Sequence, residues 1–262
     1  MSKNILLIDA DVLCYQFAFR NTDTFDWDSD GEMSESLQAD KALAEIDVFI
    51  DDLKEKLLGD KVHIILSDRE KNFRLELDRT YKGQRTKPKP TLWATIREYV
   101  EFGDHGYPVH WFPRLEGDDV MGMMATHPKL GKDCIIVSID KDMRTVPSRL
   151  YLMHRPDEGV LHIDNYEAQR YHILQTLMGD AVDNYKGIPG VGEKKAQKIL
   201  DATPNNEDLW AAVVEAYAAK DMTEEQALGQ ARLAYILQHG DYKYSTGGIR
   251  LWTPERLKNT SQ

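Results

Sequence analysis

Seven acidic residues of this sequence follow short apolar runs, in four clusters. The seven are Asp9, Asp68, Glu116, Asp118, Asp119, Asp140 and Asp142. If the apolar runs are strands of an open parallel sheet, the clusters lie at the carboxyl ends of the strands, where such sheets bind ligands. Carboxylates gathered in one crevice repel one another and raise each other's pKa values, and divalent cations relieve that repulsion. We therefore predict a site for two or more Mg²⁺ ions, which prefer oxygen ligands, with Mn²⁺ as a substitute.

A carboxylate site of this kind is suited to the cleavage of phosphodiester bonds. One ion lowers the pKa of a bound water and positions it, and a second ion stabilises the charge on the leaving oxygen. Such chemistry needs neither a serine nor a cysteine nucleophile. A single carboxylate after a strand is ordinary, because it can cap the next helix, and that interpretation would suffice for Asp68 alone. Asp11, two residues after Asp9, is either an additional acid near the metals or a helix cap, and we favour the cap.

The segment from Gly187 to Gly192, which reads GIPGVG, predicts a turn between two helices that can hold an anion. Glycine permits positive φ and a close approach of the backbone, and the N–H groups that begin the next helix point toward the turn. Lys194 and Lys195 add positive charge that carries no base specificity. A plain glycine-capped helix hairpin is the alternative, but the two lysines favour contact with a nucleic-acid backbone. Asp180 and Asp183 precede the turn at the predicted end of a helix, and their spacing of three residues would let both face one side.

The formal net charge of −11 argues by itself against a nucleic-acid partner. The distribution of charge argues the other way, because the segment from Arg79 to Lys89 contains basic residues and no acid. A second basic cluster follows the glycine turn, whereas acids are frequent in the first sixty residues. For the segment from Arg79 to Lys89 alone, a polar loop and a nucleic-acid contact remain equally good interpretations.

Composition indicates an ordinary globular protein, with 42% hydrophobic and 29% charged residues. Cys14 and Cys134 lie far apart, which suggests neither a disulfide framework nor a zinc site and favours a reducing compartment. The apolar run at the N-terminus is too short for a signal peptide, and no run approaches the ~20 residues of a membrane span. We therefore expect a cytoplasmic protein without a membrane partner.

The elements that must position these residues can be predicted from hydrophobic periodicity. Buried strands are predicted at 4–9, 62–67, 108–112, 134–138 and 149–153, with helical patterns between most of them. This alternation predicts an α/β fold with a mostly parallel, doubly wound sheet. Strand signals stop near residue 164, and helices are predicted at 164–179, 192–200, 207–220 and 223–239. We therefore predict an α/β domain over residues 1–168 and a helical region over 169–262.

One further pattern, Asp26-x-Asp28-x-Asp30-Gly31, is similar to the beginning of a calcium-binding loop. The twelfth position of that loop would be Leu37, where a bidentate glutamate is needed. We therefore predict a hairpin or loop in this segment and no metal site.

Several segments together resemble the 5′-nuclease family of flap endonucleases and 5′→3′ exonucleases, which has a PIN-like fold. GDAVDNYKGIPGVGEKKA (179–196) is similar to the helix–three-turn–helix motif of that family. LEGDDVMG (115–122) and VSIDKDM (137–143) resemble its metal-binding motifs, and LIDAD (7–11) and SDREKNFR (67–74) match its first two acidic positions. YKGQR (81–85) resembles its basic arch. MTEEQALGQARLAYIL (222–237) with IRLW (249–252) looks like the exonuclease of T7-like bacteriophages.

The resemblance implies roles for individual residues. One metal group would comprise Asp9, Asp68, Glu116, Asp118 and Asp119, and Asp140, Asp142, Asp180 and Asp183 would complete the site. Lys82 and Arg85 would reach the scissile phosphate and stabilise charge in the transition state. Tyr81 would stack on a terminal base, although packing in the core is an equally good interpretation. The expected DNA contacts are Lys87, Gly187, Gly190, Gly192, Lys194 and Lys195, and the glycine turn would also hold K⁺ through backbone carbonyls.

The family resemblance further implies a metal-dependent 5′→3′ exonuclease that degrades duplex DNA, and the RNA strand of RNA–DNA hybrids, to 5′-phosphate products. Its setting would be phage-type DNA replication, primer removal or breakdown of host DNA. A structure-specific flap endonuclease is the first alternative. The glycine hairpin argues against a PIN-type ribonuclease, and the complete carboxylate set argues against a non-catalytic DNA-binding protein. We expect a free-standing, monomeric enzyme.

Overall fold

The computed structural model describes residues 4–22, 25–26, 31–32 and 35–258, with side chains for 4–22 and 37–258. Its strands are β1 (Asn4–Asp9), β2 (Phe25–Asp26), β3 (Gly31–Glu32), β4 (Gly59–Ile65), β5 (Val109–His110), β6 (Cys134–Ser138), β7 (Ser148–Leu152), β8 (Val160–Ile163), β9 (Tyr242–Lys243) and β10 (Gly248–Ile249). Its α-helices are α1 (Ala10–Asn21), α2 (Glu35–Lys56), α3 (Arg74–Leu77), α4 (Trp93–Phe102), α5 (Gly117–Ala125), α6 (Asn165–Met178), α7 (Glu193–Ala202), α8 (Leu209–Ala218) and α9 (Glu224–Ala234).

The central sheet contains six strands in the order β5-β4-β1-β6-β7-β8. Its first five strands are parallel, and β8 pairs antiparallel with β7. The predicted mostly parallel sheet is therefore confirmed, with small shifts at the ends of its predicted strands. The sequence pattern does not predict β8, because this edge strand is short and none of its side chains is fully buried.

Helices cover both faces of the sheet, as a doubly wound fold requires. Successive side chains of β1 point to opposite faces, so Leu6 and Ile8 pack in the core with α1, α2 and α4. Leu7 packs in the other core, with α5 and the helices α6 to α9. All three side chains have 0% exposure, which explains why this strand reads as a continuous apolar run.

The predicted helical region after residue 164 is present as α6 to α9, and it packs directly on one face of the sheet. The last of these helices ends at Ala234, five residues before its predicted end. The chain turns extended at Tyr235, whose carbonyl accepts a hydrogen bond from Arg74. A tertiary contact therefore ends this helix. The boundary between residues 168 and 169 stays a prediction from the pattern of elements.

The segment that resembles a calcium loop contains a short hairpin, in which β2 and β3 pair antiparallel. Asp28 and Asp30 of that pattern lie outside the described residues. No helix among the described residues is both long and apolar enough to cross a bilayer.

Candidate active site

Three aspartates that follow strands or begin a helix lie near one another in the crevice at the carboxyl edge of the sheet. Asp9 ends β1 and caps α1, accepting a hydrogen bond from the Val12 N–H at 3.3 Å. The Ser138 hydroxyl, at the end of the neighbouring β6, donates to the other oxygen of Asp9 at 2.7 Å. Asp140 follows β6, and its own N–H donates to the Ser138 oxygen at 3.0 Å. The adjacent parallel strands thus bring Asp9 and Asp140 together.

Burial and neighbouring charges perturb the carboxyl groups of Asp9 and Asp118. Burial, with the charge of Asp11 next in size, raises the pKa of Asp9 to about 7. Burial and the charges of Asp140 and Asp9 raise the pKa of Asp118, in the first turn of α5, well above its usual range. Among the described residues, no side-chain cation forms an ion pair with Asp9, Asp118 or Asp140. Repelling carboxylates without a paired cation are the donor set that a hard divalent ion fits.

A second acidic pair, Asp142 and Asp180, lies beside this group and forms ion pairs with the Lys141 ammonium. Asp142 belongs to the 3-10 helix Lys141–Thr145, and burial and the charge of Asp140 raise its pKa to about 6. Asp180 lies in the turn after α6. The Lys141 ammonium lies 2.9 Å from Asp142 Oδ1 and 3.1 Å from Asp180 Oδ2. Burial opposes ionisation of Asp180, but Lys141 and the backbone N–H groups of its turn outweigh burial and lower its pKa.

Glu116 and Asp183 form a third group, with the cations predicted to act on the scissile phosphate. The Lys82 ammonium pairs with Glu116 and lies 3.5 Å from Asp183 Oδ2. The Arg85 guanidinium donates to Asp183 Oδ1 at 2.8 Å. Burial alone would raise the pKa of Glu116, but Lys82 and Arg74 hold it at about 2. Lys82 and Arg85 therefore lie at the crevice, positioned by carboxylates.

Asp119 does not belong to the crevice, which corrects the prediction that it is a metal ligand. Its side chain is completely buried, and Arg74 binds both of its oxygens at 2.7 and 2.8 Å. The Leu237 N–H donates to it as well, at 3.0 Å. Asp118 and Asp119 are neighbours on one helix and point about 100° apart. Asp118 therefore faces the crevice while Asp119 faces the core.

Two further acids near the strand ends have partners that the sequence does not indicate. Asp68 uses both carboxyl oxygens in its own loop, accepting from the Arg114 and Glu70 N–H groups at 2.7 and 2.9 Å. The role of Asp68 as a metal ligand stays a prediction. Asp11 is not the cap of α1, since Asp9 has that position. Asp11 instead pairs with the Arg97 guanidinium and accepts from the Ser67 N–H at 2.8 Å.

The basic segment between α3 and α4 packs against the turn that contains Asp183. The Lys82 N–H donates to the Asp183 carbonyl at 2.9 Å, and the Asn184 amide donates to the Thr80 carbonyl at 2.7 Å. Tyr81 is only 4% exposed and packs in a small apolar cluster. Its hydroxyl lies 2.9 Å from Asp183 Oδ2. In this structure Tyr81 therefore packs in the core, and its stacking on a terminal base stays a prediction, whereas Lys87 is exposed.

The glycine turn has the geometry that its sequence predicts. Gly187 and Gly190 have φ of 56° and 75°, in the region that favours glycine. Gly192 caps α7, which begins at Glu193. Lys194 and Lys195 are exposed on the first turn of α7, and the Lys195 ammonium donates to the Gly190 carbonyl at 2.7 Å. The turn thus presents a helix N-terminus and two lysines on one surface.

Asp180 and Asp183 lie beyond the end of α6 rather than on a helical face. The Asp180 backbone pairs with Tyr185, and its Oδ1 accepts from the Val182 and Asp183 N–H groups at 2.6 and 3.2 Å. The turn therefore divides the two aspartates between different partners, Lys141 for Asp180 and the Lys82–Arg85 segment for Asp183.

Within residues 4–22 and 37–258, no three carboxylate, histidine or cysteine side chains converge as the ligands of one bound ion would. Two lysines pair with some of these carboxylates instead. The Lys82 ammonium pairs with Glu116, and the Lys141 ammonium pairs with Asp142 and Asp180. Among the residues predicted as metal ligands, the structure brings Asp9, Asp118 and Asp140 together, with Asp142 and Asp180 beside them and Glu116 and Asp183 at the Lys82 side.

Sequence reasoning missed three residues that organise the site: Ser138, Lys141 and Arg74. Lys141 has a visible signal, because a lysine between Asp140 and Asp142 lies within reach of both. Arg74 has a weaker one, an arginine between two apolar residues. Its partner Asp119 lies 45 residues further along the chain, and the sequence does not indicate that the two side chains are in contact.

Comparison with known proteins gives a consistent result. The family described as 5′-3′ exonuclease, N-terminal resolvase-like domain, matches residues 4–173. The exodeoxyribonuclease of Enterobacteria phage T3 is 27% identical, over 96% of this chain and 93% of that protein. The exonuclease of Escherichia phage T7 is 28% identical, over 96% of this chain and 94% of that protein. A T5 5′-exonuclease structure with bound zinc ions has a TM-score of 0.66 at 17% identity, covering 88% of this chain and 89% of that one, and shares the fold.

Proposed function

The chain belongs to the 5′-3′ exonuclease family with an N-terminal resolvase-like domain, and we propose that it hydrolyses duplex DNA from the 5′ end with divalent metal ions. Its products would carry 5′-phosphates. The observation that carries the proposal is the group of Asp9, Asp118 and Asp140, whose carboxylates repel one another and have no ion-pair partner among the described residues. The T3 and T7 relatives, an exodeoxyribonuclease and an exonuclease, support DNA as the substrate.

Asp9, Asp118 and Asp140 would hold the metal ions, with Asp142 and Glu116 at the edges of the group. When bound, Mg²⁺ or Mn²⁺ supplies an activated water and stabilises charge on the leaving oxygen. Ser138 orients Asp9 through its 2.7 Å hydrogen bond. The burial of these carboxylates makes a cation bind more strongly there than it would in open water.

Lys82 and Arg85 would bind the scissile phosphate. Both are held at the crevice by Glu116 and Asp183, so their positive charges are in place before the substrate arrives. Positioned cations of this kind stabilise the charge that develops on a phosphate in the transition state. Glu116 and Asp183 are then positioning residues for these two cations as well as acids near the metals.

The glycine turn and α7 would hold the duplex backbone beside the crevice. The helix N-terminus and the exposed Lys194 and Lys195 bind phosphates without reading bases. Two local basic surfaces would explain how a chain of net charge −11 binds DNA.

A K⁺ ion at the glycine turn belongs to the same proposal, and it would compete with Lys195 for the Gly190 carbonyl. We propose a monomer that also accepts RNA–DNA hybrids.

The test is digestion of 5′- and 3′-labelled duplex, flap and hybrid substrates in Mg²⁺. A 5′→3′ exonuclease releases labelled mononucleotides early from 5′-labelled duplex, whereas a flap endonuclease releases the flap as one oligonucleotide. The double variant Asp140→Ala/Asp142→Ala is expected to lose cleavage and to keep DNA binding in Ca²⁺. Asp133→Ala, at the other end of β6, is the matched control and should cleave normally. Cleavage by the double variant in Mg²⁺ would refute the metal site.

The DNA-backbone contact has a separate test. Replacing Lys194 and Lys195 by methionine is expected to weaken DNA binding and to reduce the slope of log K against log salt by up to about 2. Lys132→Met, before β6 at the opposite edge of the sheet, should leave the slope unchanged. An unchanged slope in the double variant would contradict the contact.

A further inference from the structure

Lys141 joins two acids that come from different parts of the fold. Its ammonium lies 2.9 Å from Asp142 Oδ1 and 3.1 Å from Asp180 Oδ2. Asp142 follows β6, whereas Asp180 follows α6. The Lys141 side chain is 53% exposed, while those of Asp142 and Asp180 are 17% and 9% exposed. A flexible, half-exposed cation is therefore placed over two nearly buried anions.

The second oxygen of Asp180 is not free to bind a cation. Oδ1 accepts hydrogen bonds from the Val182 and Asp183 N–H groups, at 2.6 and 3.2 Å. These bonds form the turn that follows α6. A cation that approaches Asp180 must therefore use Oδ2, which is the oxygen that faces Lys141.

We infer that the Lys141 ammonium is an internal cation for Asp142 and Asp180 and competes with a divalent metal ion for these two carboxylates. The inference rests on the proposed metal-dependent function. It divides the crevice into two parts. Asp9, Asp118 and Asp140 have no ion-pair partner among the described residues and accept a metal directly, whereas the Asp142–Asp180 side accepts one only when Lys141 moves away.

This arrangement makes Lys141 a positioning residue with two effects. Without metal, it neutralises part of the repulsion between Asp142 and its neighbours and so helps to keep the crevice folded. With metal, it weakens binding at the Asp142–Asp180 side, because the ion must displace an ammonium group. Removing Lys141 should therefore tighten divalent-ion binding, whereas removing a ligand would weaken it.

The test is titration of the DNA-free protein with Mn²⁺, with free Mn²⁺ measured by electron paramagnetic resonance. Lys141→Met is expected to increase the affinity for Mn²⁺ about fivefold at the weaker sites, which are those on the Asp142–Asp180 side. The loss of two partly exposed ion pairs can account for a change of this size. Lys141→Arg keeps both ion pairs and should match the unmodified protein. Lys132→Met removes the same charge at the opposite end of β6 and should also match it. Thermal unfolding confirms that each variant is folded.

The inference is overturned if Lys141→Met binds Mn²⁺ with unchanged or lower affinity while the unmodified protein binds it. Equal tightening in Lys132→Met would also overturn it, because the effect would then come from net charge alone. If neither the unmodified protein nor any variant binds Mn²⁺, the proposed metal site itself fails, and the competition fails with it.

Discussion

Replacing Asp9 by asparagine removes a buried charge and is expected to stabilise the metal-free protein above neutral pH. Asparagine is nearly isosteric with aspartate and caps helices equally well, so the bond from Val12 is kept. The amide can also donate to the Ser138 hydroxyl. The substitution therefore changes mainly the charge in the crevice.

The size of the effect follows from the pKa of Asp9, which rises from 3.8 to about 7 on folding. Between these values the folded protein binds more protons than the unfolded chain, so the contribution of Asp9 to stability is lost as the pH rises. One pKa unit corresponds to about 1.4 kcal/mol, which gives an upper value of about 4 kcal/mol at pH 8. We expect Asp9→Asn to gain about 2–4 kcal/mol there, and less at pH 5.

The assay is urea unfolding in EDTA at pH 5 and pH 8, followed by circular dichroism. A higher midpoint with an unchanged slope reports a change in stability alone. Asp68→Asn is the matched control, because backbone N–H groups outweigh burial and lower the pKa of Asp68. It should lose stability at pH 8. Excess Mg²⁺ should reduce the difference in unfolding midpoint between Asp9→Asn and the unmodified protein. The reasoning is refuted if Asp9→Asn is no more stable than the unmodified protein at pH 8 in EDTA.

Two further predictions concern the residues that shape the site. Arg74→Met leaves the fully buried Asp119 without its partner and is expected to lower the free energy of unfolding by about 3–5 kcal/mol, measured by urea unfolding; a loss below about 1 kcal/mol would contradict the role of this pair. Gly187→Ala should lower Tm more than Gly190→Ala, although both positions have positive φ. A Cβ at 187 would lie 2.3 Å from the Gly179 nitrogen, whereas nothing lies within 4 Å of one at 190; equal losses of Tm would refute this difference.

Much of the fold could be predicted from local patterns. Continuous apolar runs indicate buried parallel strands, and the predicted sheet is present with one additional edge strand. The glycine turn could also be predicted, because positive φ at Gly187 and Gly190 is a property of the residue type. The end of α9 could not, because Arg74 holds the chain in an extended conformation at Tyr235 through a contact between residues 161 positions apart.

The sequence by itself determined that acids follow the strands, and the parallel sheet brings Asp9 and Asp140 to one edge because their strands are neighbours. Only the tertiary structure decided which acids face the crevice. Asp118 and Asp119 are equivalent in the sequence, but adjacent residues on a helix point in different directions, and the core side offers Arg74. Likewise, Lys141 meets Asp180 only because α6 ends beside the loop after β6. The direction of a side chain and its pairing with a residue distant in the chain therefore cannot be predicted from the sequence pattern alone.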